Sequence, residues 1–588
     1  MSQPVRIDIE GDVGIVSVHS PPVNALGTEV RAGMAQAFDP LLTNGDVRAI
    51  VLICEGRTFF AGADISEFGK PPQSPTLHEV MHLIENATKP VVAAIHGHAL
   101  GGGLETALVC HYRIAVPSAR LGLPEVHLGL LPGGGGTQRL PRIVGVEAAL
   151  DLMVSGRSIA APEAQALGLL DVLSGEERLR GDAVSFARAI ISAGKPLSRI
   201  RDRDERIGQA RAQPGLFEDF RKRHAAAMRG FKAPEHIVRA VEAAVALPFD
   251  AGLAREWELF RELEDSSESA AQRHVFFGER ETAKIPGVRA DTPVVPLRRA
   301  AIVGALEGAK RWTDILSRAG LEKIDVFDDW TAALANGADS LAASNIIIEC
   351  ASSGMALTTA IMQKLDTIRR PDSLLVPADI GALDRVATDD PSTLVGLSLP
   401  ANPSTRLIEI SQGRSTTPTA LATALHLARK AGKVPVVSRA GKGIVSDRLA
   451  RAYGQAVAAL KEDGTADAAI HAALHMFGFP ASGDGAESSV SIAAMEAIVT
   501  PILAAMANEG MQMLDEAIVL RPSDIDIAAV LALGWPVYRG GPMFWAEQAG
   551  TSAILNSLHV LEHRHGPAFT PAKGLRPLVK SDGQIVGN

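Results

Sequence analysis

The sequence predicts an α/β fold continued by a second α/β unit and closed by an all-helical region, and three observations carry that prediction. Apolar runs fit for buried strands, such as AIVLIC at 49–54, alternate with helix-forming stretches up to about residue 180. A strand–turn–helix–strand layout restarts at RRAAIVGALEGAKRWTDILSRAGLEKIDVFDDW. From about residue 440 the spacing of apolar residues is again helical.

In chain order, residues 5–19 alternate as two strands around a Gly-Asp turn. PPVNALG and a helix follow, and then the alternating strands and helices. From 181 to 290 the pattern is helical and includes HIVRAVEAAVALPFDAGLAREWELFRELEDSSESAAQRHVFFGER, with apolar residues three and four apart. TAKIPGVRADTPVVPL, with its prolines, reads as a linker. In the next unit AAIV and KIDVF are strands, with Asp328 and Asp329 after the second, and NIIIEC and LLVPADI add further buried strands. In the helical end, DAAIHAALHMFGFP (467–480) and DIAAVLALGWPVY (526–538) share a helix-then-Gly-aromatic-Pro pattern, so two related halves are expected. The expected domains are 1–290, 291–437 and 438–588.

Composition narrows the function classes. Hydrophobic residues make up 46% and charged residues 21%, ordinary for a globular protein. A net charge of −9 without basic runs argues against nucleic-acid binding. The three cysteines, Cys54, Cys110 and Cys350, are far apart in apolar surroundings, so neither a disulfide framework nor a metal site is expected. The N-terminal MSQPVRIDIEGDVGIV lacks a secretory pattern. No apolar run approaches ~20 residues, so no membrane span is expected. The C-terminal QIVGN is not an SKL-type address, and the expected compartment is the cytoplasm.

The chemistry concentrates between Gly97 and Arg139. Glu105 follows Gly101, Gly102 and Gly103, where backbone can approach a ligand without a Cβ in the way. LETALV after the glycines forms helix readily, so these glycines are expected at a helix N-terminus, whose free N–H groups suit a developing oxyanion. Glu125 lies in the turn-rich GLPEVHLGLLPGGGG, which can return it over the same pocket. Upstream, Ala61-Gly62-Ala63-Asp64 ends a buried strand and presents another N–H group. Two N–H donors from separate loops and two carboxylates make an acid/base site able to stabilise an enolate. His96, His98 and His127 are expected to be structural.

FFAGADISEF, HALGGGLETAL, GLPEVHLGLLPGGGGTQRL and SGRSIAAPEAQALGLLDVL together resemble the enoyl-CoA hydratases of the crotonase superfamily, over about the first 180 residues. The resemblance implies the crotonase fold of stacked ββα units for this part. It implies that Ala63 and Gly102 donate N–H groups to a thioester oxygen, that Glu105 and Glu125 hold and split water, and that Gly133 helps hold that water. Over nearly the whole length, with FFGERETAKIPGV and RPSDIDIAAVLALGWPVYRGGPMFWAEQAG, the chain resembles the multifunctional enzymes of fatty-acid β-oxidation, a hydratase fused to a 3-hydroxyacyl-CoA dehydrogenase.

The second half departs from that family. The dinucleotide fingerprint G-x-G-x-x-G keeps Gly304 but has Leu306 and Ala309 at its second and third positions. Ser398 stands where the family has its catalytic histidine, Glu409 keeps the place of the orienting carboxylate, and Asp447 replaces an asparagine. The expectation is therefore a 2-enoyl-CoA hydratase with an inactive, degenerate Rossmann-like half, needing no cofactor or metal for hydration and not binding NAD. The alternatives are a working bifunctional hydratase/dehydrogenase and a non-catalytic acyl-CoA-binding subunit of a β-oxidation complex. Double-bond isomerisation is an expected side activity. Expected partners are the acyl-CoA substrate and a thiolase, with the chain a monomer or small oligomer.

Overall fold

Gly11, in the left-handed region at φ +63°, turns the chain between two strands: β1 (Val5–Glu10) and β2 (Val13–Val18) pair antiparallel with Val5 opposite Val18 and Glu10 opposite Val13. That register leaves Gly11-Asp12 as a two-residue hairpin loop, which favours glycine. The structure is a computed structural model that describes residues 3–67, 70–71, 73–304, 306–350, 359–378, 383–384, 386, 388–402, 404–441, 443–480 and 490–575. It comprises two compact units, residues 1–273 and 274–588.

In the first unit β3 (Ala49–Cys54), β4 (Val91–Ile95), β6 (Tyr112–Ala115) and β9 (Val172–Leu173) add in parallel to β2. The sheet order is β1-β2-β3-β4-β6-β9. β2, β3 and β4 are buried at every position, which is why they read as continuous apolar runs and not as alternating ones. A smaller sheet, β5 (His98–Leu100), β7 (Arg120–Gly122) and β8 (Ile159–Ala160), runs in that order. Helices from Leu179 onward finish the unit, among them Ala233–Ala246 and Phe249–Glu264.

The second unit opens with the parallel strands β10 (Arg299–Val303), β11 (Lys323–Phe327), β12 (Ile346–Glu349) and β13 (Leu374–Val376), in the order β11-β10-β12-β13. A three-stranded sheet follows, β14 (Val395–Ser398), β15 (Leu407–Gln412) and β16 (Val434–Arg439). The remainder is helical. The helices Asp467–Phe477 and Pro522–Leu533 both stop at glycines with positive φ, Gly478 and Gly534. The α/β, Rossmann-like and helical classes are those the sequence predicts.

Among the described residues the helix Ile492–Asp515 is long and apolar enough to cross a bilayer by length and composition. It interrupts that run with Pro501 and Glu509 and buries Ile502, Leu503, Met506 and Met513 in the core of the second unit. Its glutamates and its proline break the apolar run while the average stays apolar.

Candidate active site

β5 leads into Gly101, whose φ of +53° is open to glycine and closed to most L-residues. The chain then enters the helix Gly102–Val109. Gly103 faces a second constraint: a Cβ there would stand 2.1 Å from the carbonyl oxygen of Phe60, so only glycine lets this helix lie against the segment that carries Ala63. The result is a close approach of two loops. A Cβ on Gly102 would meet the nitrogen of Ala63 at 3.3 Å, and Ala63 is fixed by a bridge to Leu26. The two expected oxyanion donors are therefore neighbours.

Glu105 lies one turn into that helix and is buried. Its Oε1 accepts hydrogen bonds from Gly134 N at 2.7 Å and Gly136 N at 2.8 Å. These donors belong to the start of the helix Gly136–Val144, whose positive end faces the carboxylate. Glu125 opens the short 3-10 turn Glu125–Leu128, and a Cβ on Gly101 would lie 2.9 Å from its Oε1. Its Oε2 is buried and has no hydrogen-bond partner among the described residues. Glu125 thus lies against the Gly101 turn and Glu105 against the turn that follows Gly133, close enough for the charge of one to act on the other. Gly133 itself accepts from His78 Nε2 at 2.8 Å through its carbonyl, and the N–H groups that reach Glu105 come from Gly134 and Gly136.

The electrostatics separate the two acids. Burial raises the pKa of Glu105, but the N–H groups of Gly136 and Gly134 and the charge of Arg139 oppose the shift. Burial raises Glu125 well above the ordinary carboxylate range, and the charge of Glu105 adds to it. Burial raises both, but the two N–H groups hold Glu105 back while the charge of Glu105 pushes Glu125 further, and pKa values set apart in this way are the usual basis for dividing base and acid roles.

Two buried features escape a reading of the sequence. Glu256, on the helix Phe249–Glu264, accepts from Gly135 N at 2.7 Å, from Thr137 N at 3.1 Å and from the Thr137 hydroxyl. Burial, followed by the charge of Glu105, pushes it up to about 8. Its signal is position: Gly252, Glu256, Leu259, Phe260 and Leu263 form one buried stripe, so a carboxylate sits where a core residue is expected. The second feature is the pair Glu85–Arg139, in which Nε and Nη2 donate to the two carboxylate oxygens at 2.8 and 2.7 Å. Of the other histidines, His96 hydrogen-bonds the Gly56 carbonyl at 3.1 Å.

In the second unit Gly304 keeps φ at +135°, and a Cβ there would stand 2.4 Å from the Cys350 carbonyl oxygen. This strand–turn–helix corner, beside the β10/β12 switch point, has the topology a dinucleotide needs. Ala309 is buried, and the side chain of Leu306 lies outside the described residues. The corner fits a nucleotide in topology and at Gly304, whereas the fingerprint departs from glycine at positions 306 and 309. Ser398 lies opposite Glu409 in the β14/β15 pair. Glu409 is not idle: it accepts from Val445 N at 2.7 Å, from Ser446 N at 3.2 Å and from the Ser446 hydroxyl. The ladder of potential metal ligands is equally plain: no group of three or more His, Cys, Asp or Glu residues suited to a metal ion occurs among the described residues.

Comparison with known proteins adds the following. Residues 8–203 match the family "Enoyl-CoA hydratase/isomerase", and residues 301–441 match "3-hydroxyacyl-CoA dehydrogenase, NAD binding domain". The peroxisomal bifunctional enzyme of Danio rerio is 30% identical, over 97% of this chain and 96% of its own length. The human peroxisomal bifunctional enzyme is 28% identical over 96% of each chain. The glyoxysomal fatty acid beta-oxidation multifunctional protein MFP-a of Cucumis sativus is 27% identical over 95% of this chain and 94% of its own. These names overturn the cytoplasmic expectation, because the relatives are peroxisomal or glyoxysomal. With both family matches in place, and a 30% identical relative aligned almost end to end, the chain belongs to the multifunctional enzymes of fatty-acid β-oxidation in which an enoyl-CoA hydratase is fused to a 3-hydroxyacyl-CoA dehydrogenase.

Proposed function

We propose that the first unit adds water across the double bond of a 2-enoyl-CoA thioester at Glu105 and Glu125. The observation that carries this reading is the pairing of one carboxylate bonded by two N–H groups with a second pushed well above its ordinary range. The thioester oxygen rests on the N–H groups of Ala63 and Gly102, which take up the charge of the enolate. Glu105, ionised, removes a proton from water as its oxygen bonds to C3. Glu125, protonated, delivers its proton to C2, and the π bond is consumed. Gly133, in the turn that holds Glu105, helps to position the water. Because Glu125 can move a proton alone, double-bond isomerisation accompanies hydration. Neither a metal nor a redox cofactor takes part in these steps. Glu105→Gln and Glu125→Gln should each lower the hydration rate by about 10²–10⁴-fold with little change in melting temperature. A folded variant at either position with near-full activity overturns the assignment.

For the second half, the matches support a working dehydrogenase better than an inactive one. The relatives are named bifunctional, and 301–441 matches an NAD-binding domain. NAD, when bound, would supply hydride acceptance, and the Gly304 corner is the part of this chain suited to meet its pyrophosphate. The replacements Leu306, Ser398 and Asp447 support the opposite reading, a retained scaffold. NADH formation from 3-hydroxybutyryl-CoA and a longer homologue, with calorimetry for NADH, separates the two. Turnover of roughly 1–10³ s⁻¹ establishes the bifunctional enzyme, whereas neither turnover nor binding establishes the scaffold. The relatives' names point to the peroxisome as the compartment. Division into 1–290, 291–437 and 438–588, and a thiolase as partner, complete the reading.

A further inference from the structure

The turn from Gly133 to Thr137 divides its N–H groups between two buried carboxylates borne by different helices. Gly134 and Gly136 serve Glu105, and Gly135 and Thr137 serve Glu256. Gly135, at φ +89°, makes this alternation possible by reversing the local handedness so that successive N–H groups line a concavity on each side. The hydroxyl of Thr137 adds a further bond to Glu256, and the amide of Gln138 donates to Thr137 Oγ1 at 2.9 Å.

Glu256 is 1% exposed and occupies a core position on its helix. A buried carboxylate is a poor choice for stability, since an apolar residue of similar volume usually serves as well or better. Its carboxylate accepts from the reverse side of the turn that holds Glu105. With Glu256 in place, Gly135 and Thr137 have partners, and the phase of Gly134 and Gly136 is set. Without it, three buried donors lose their acceptor and the turn can rotate toward others.

We propose that Glu256 is a positioning residue for hydration, fixing from behind the two N–H groups that aim and hold Glu105. This rests on the reading of Glu105 as the base. Glu256 touches neither water nor thioester in this scheme, so its removal should act on kcat and not on KM. Glu256→Ala should lower kcat by about ten- to a hundredfold, the range for a misplacement of up to ~1 Å, and leave KM within about twofold. Glu256→Gln should recover part of that loss, because its amide oxygen still accepts from Gly135 N and its NH₂ can donate to the Thr137 hydroxyl, while the Thr137 N–H loses its acceptor. Thr137→Val, which removes one donor and keeps the fold of the turn, should lower kcat by a smaller factor. The double variant Glu256→Gln/Thr137→Val, whose NH₂ has lost the hydroxyl it would bond, should fall below Thr137→Val alone.

The assay is steady-state hydration of crotonyl-CoA by the full chain, with rates corrected for folded fraction by circular dichroism. A folded Glu256→Ala at wild-type kcat overturns the proposal, as does a change confined to KM or a Glu256→Gln as slow as Glu256→Ala. If Glu256→Ala does not fold, Thr137→Val and the double variant decide, and unchanged kcat in Thr137→Val overturns it. Glu105→Gln is run beside them. Full hydration by Glu105→Gln removes the reading of the site itself, whereas an inactive Glu105→Gln beside a fully active Glu256→Ala removes only the role of Glu256.

Discussion

Replacing Gly134 by alanine tests how closely the Glu105 carboxylate is held. The added Cβ would stand 2.7 Å from Glu105 Oε2 and 2.9 Å from its carboxyl carbon. Carbon atoms pack at ~3.5–4.0 Å, so the carboxylate and the turn must separate by about half an ångström or more. Glu105 cannot simply swing aside, because Gly134 N and Gly136 N both bond its Oε1. Gly134 does not use the left-handed region, so alanine is not excluded by the backbone. A methyl on this residue also narrows the unfolded ensemble, a gain of about 0.4–1 kcal/mol that offsets part of the crowding. Misplacement by ~1 Å costs about 10²-fold, so the expected loss in kcat is about ten- to a hundredfold with the melting temperature nearly unchanged. The assay is hydration of crotonyl-CoA followed by the loss of enoyl-thioester absorbance, with a thermal melt of the same sample. Gly181→Ala is the control: its Cβ meets nothing within 4 Å, it lies inside the helix Leu179–Ser192, and it should leave kcat alone and stabilise by about 0.5–1 kcal/mol. A folded Gly134→Ala with kcat within twofold of wild type refutes the idea that the turn clamps Glu105.

Three further outcomes follow from the same geometry. The pH–rate profile for hydration should be bell-shaped: activity falls on acidification as Glu105 takes up a proton, and on alkalisation as Glu125 passes its raised pKa and loses the proton it must donate. A rate that rises steadily with pH would count against the acid role of Glu125. Glu85→Ala leaves Arg139 buried without its bidentate partner and should destabilise the first unit by about 3–5 kcal/mol in denaturant melts; a loss under about 1 kcal/mol would mean the arginine finds another partner. Ser446→Ala removes a hydroxyl that donates to buried Glu409, raised to about 7, and should cost about 1–3 kcal/mol. Since a carboxylate with a raised folded pKa loses its contribution as pH climbs through that value, the deficit should be larger above pH ~8 than below pH ~6, and a pH-independent deficit would show that Glu409 does not titrate there.

What the sequence determined by itself is local or periodic in character. AIVLIC reads as a buried strand because a strand covered on both faces needs no alternation, and it is β3. Gly101 to Gly103 read as the approach to a helix start, and the helix does begin there, although the atoms that crowd them, from Glu125, Leu77 and Phe60, come from elsewhere in the chain. Glu105 and Glu125 stand out because carboxylates beside glycine turns are seldom placed for packing alone. Tertiary structure alone decided who answers those groups. Glu256 looks like one charge among many in AREWELFRELE, and it becomes the second acceptor of the glycine turn only when two distant helices meet. The partners of Glu409 are fixed in the same way, since Ser446 and the start of the helix Val445–Glu462 take up the carboxylate. Arg139 and Glu85 likewise carry no local mark of being a pair. Periodicity reports which side of an element is buried, because burial follows the repeat of the backbone itself. It says nothing about which polar atom a buried donor meets, because that partner is chosen by the packing of elements far apart in the chain.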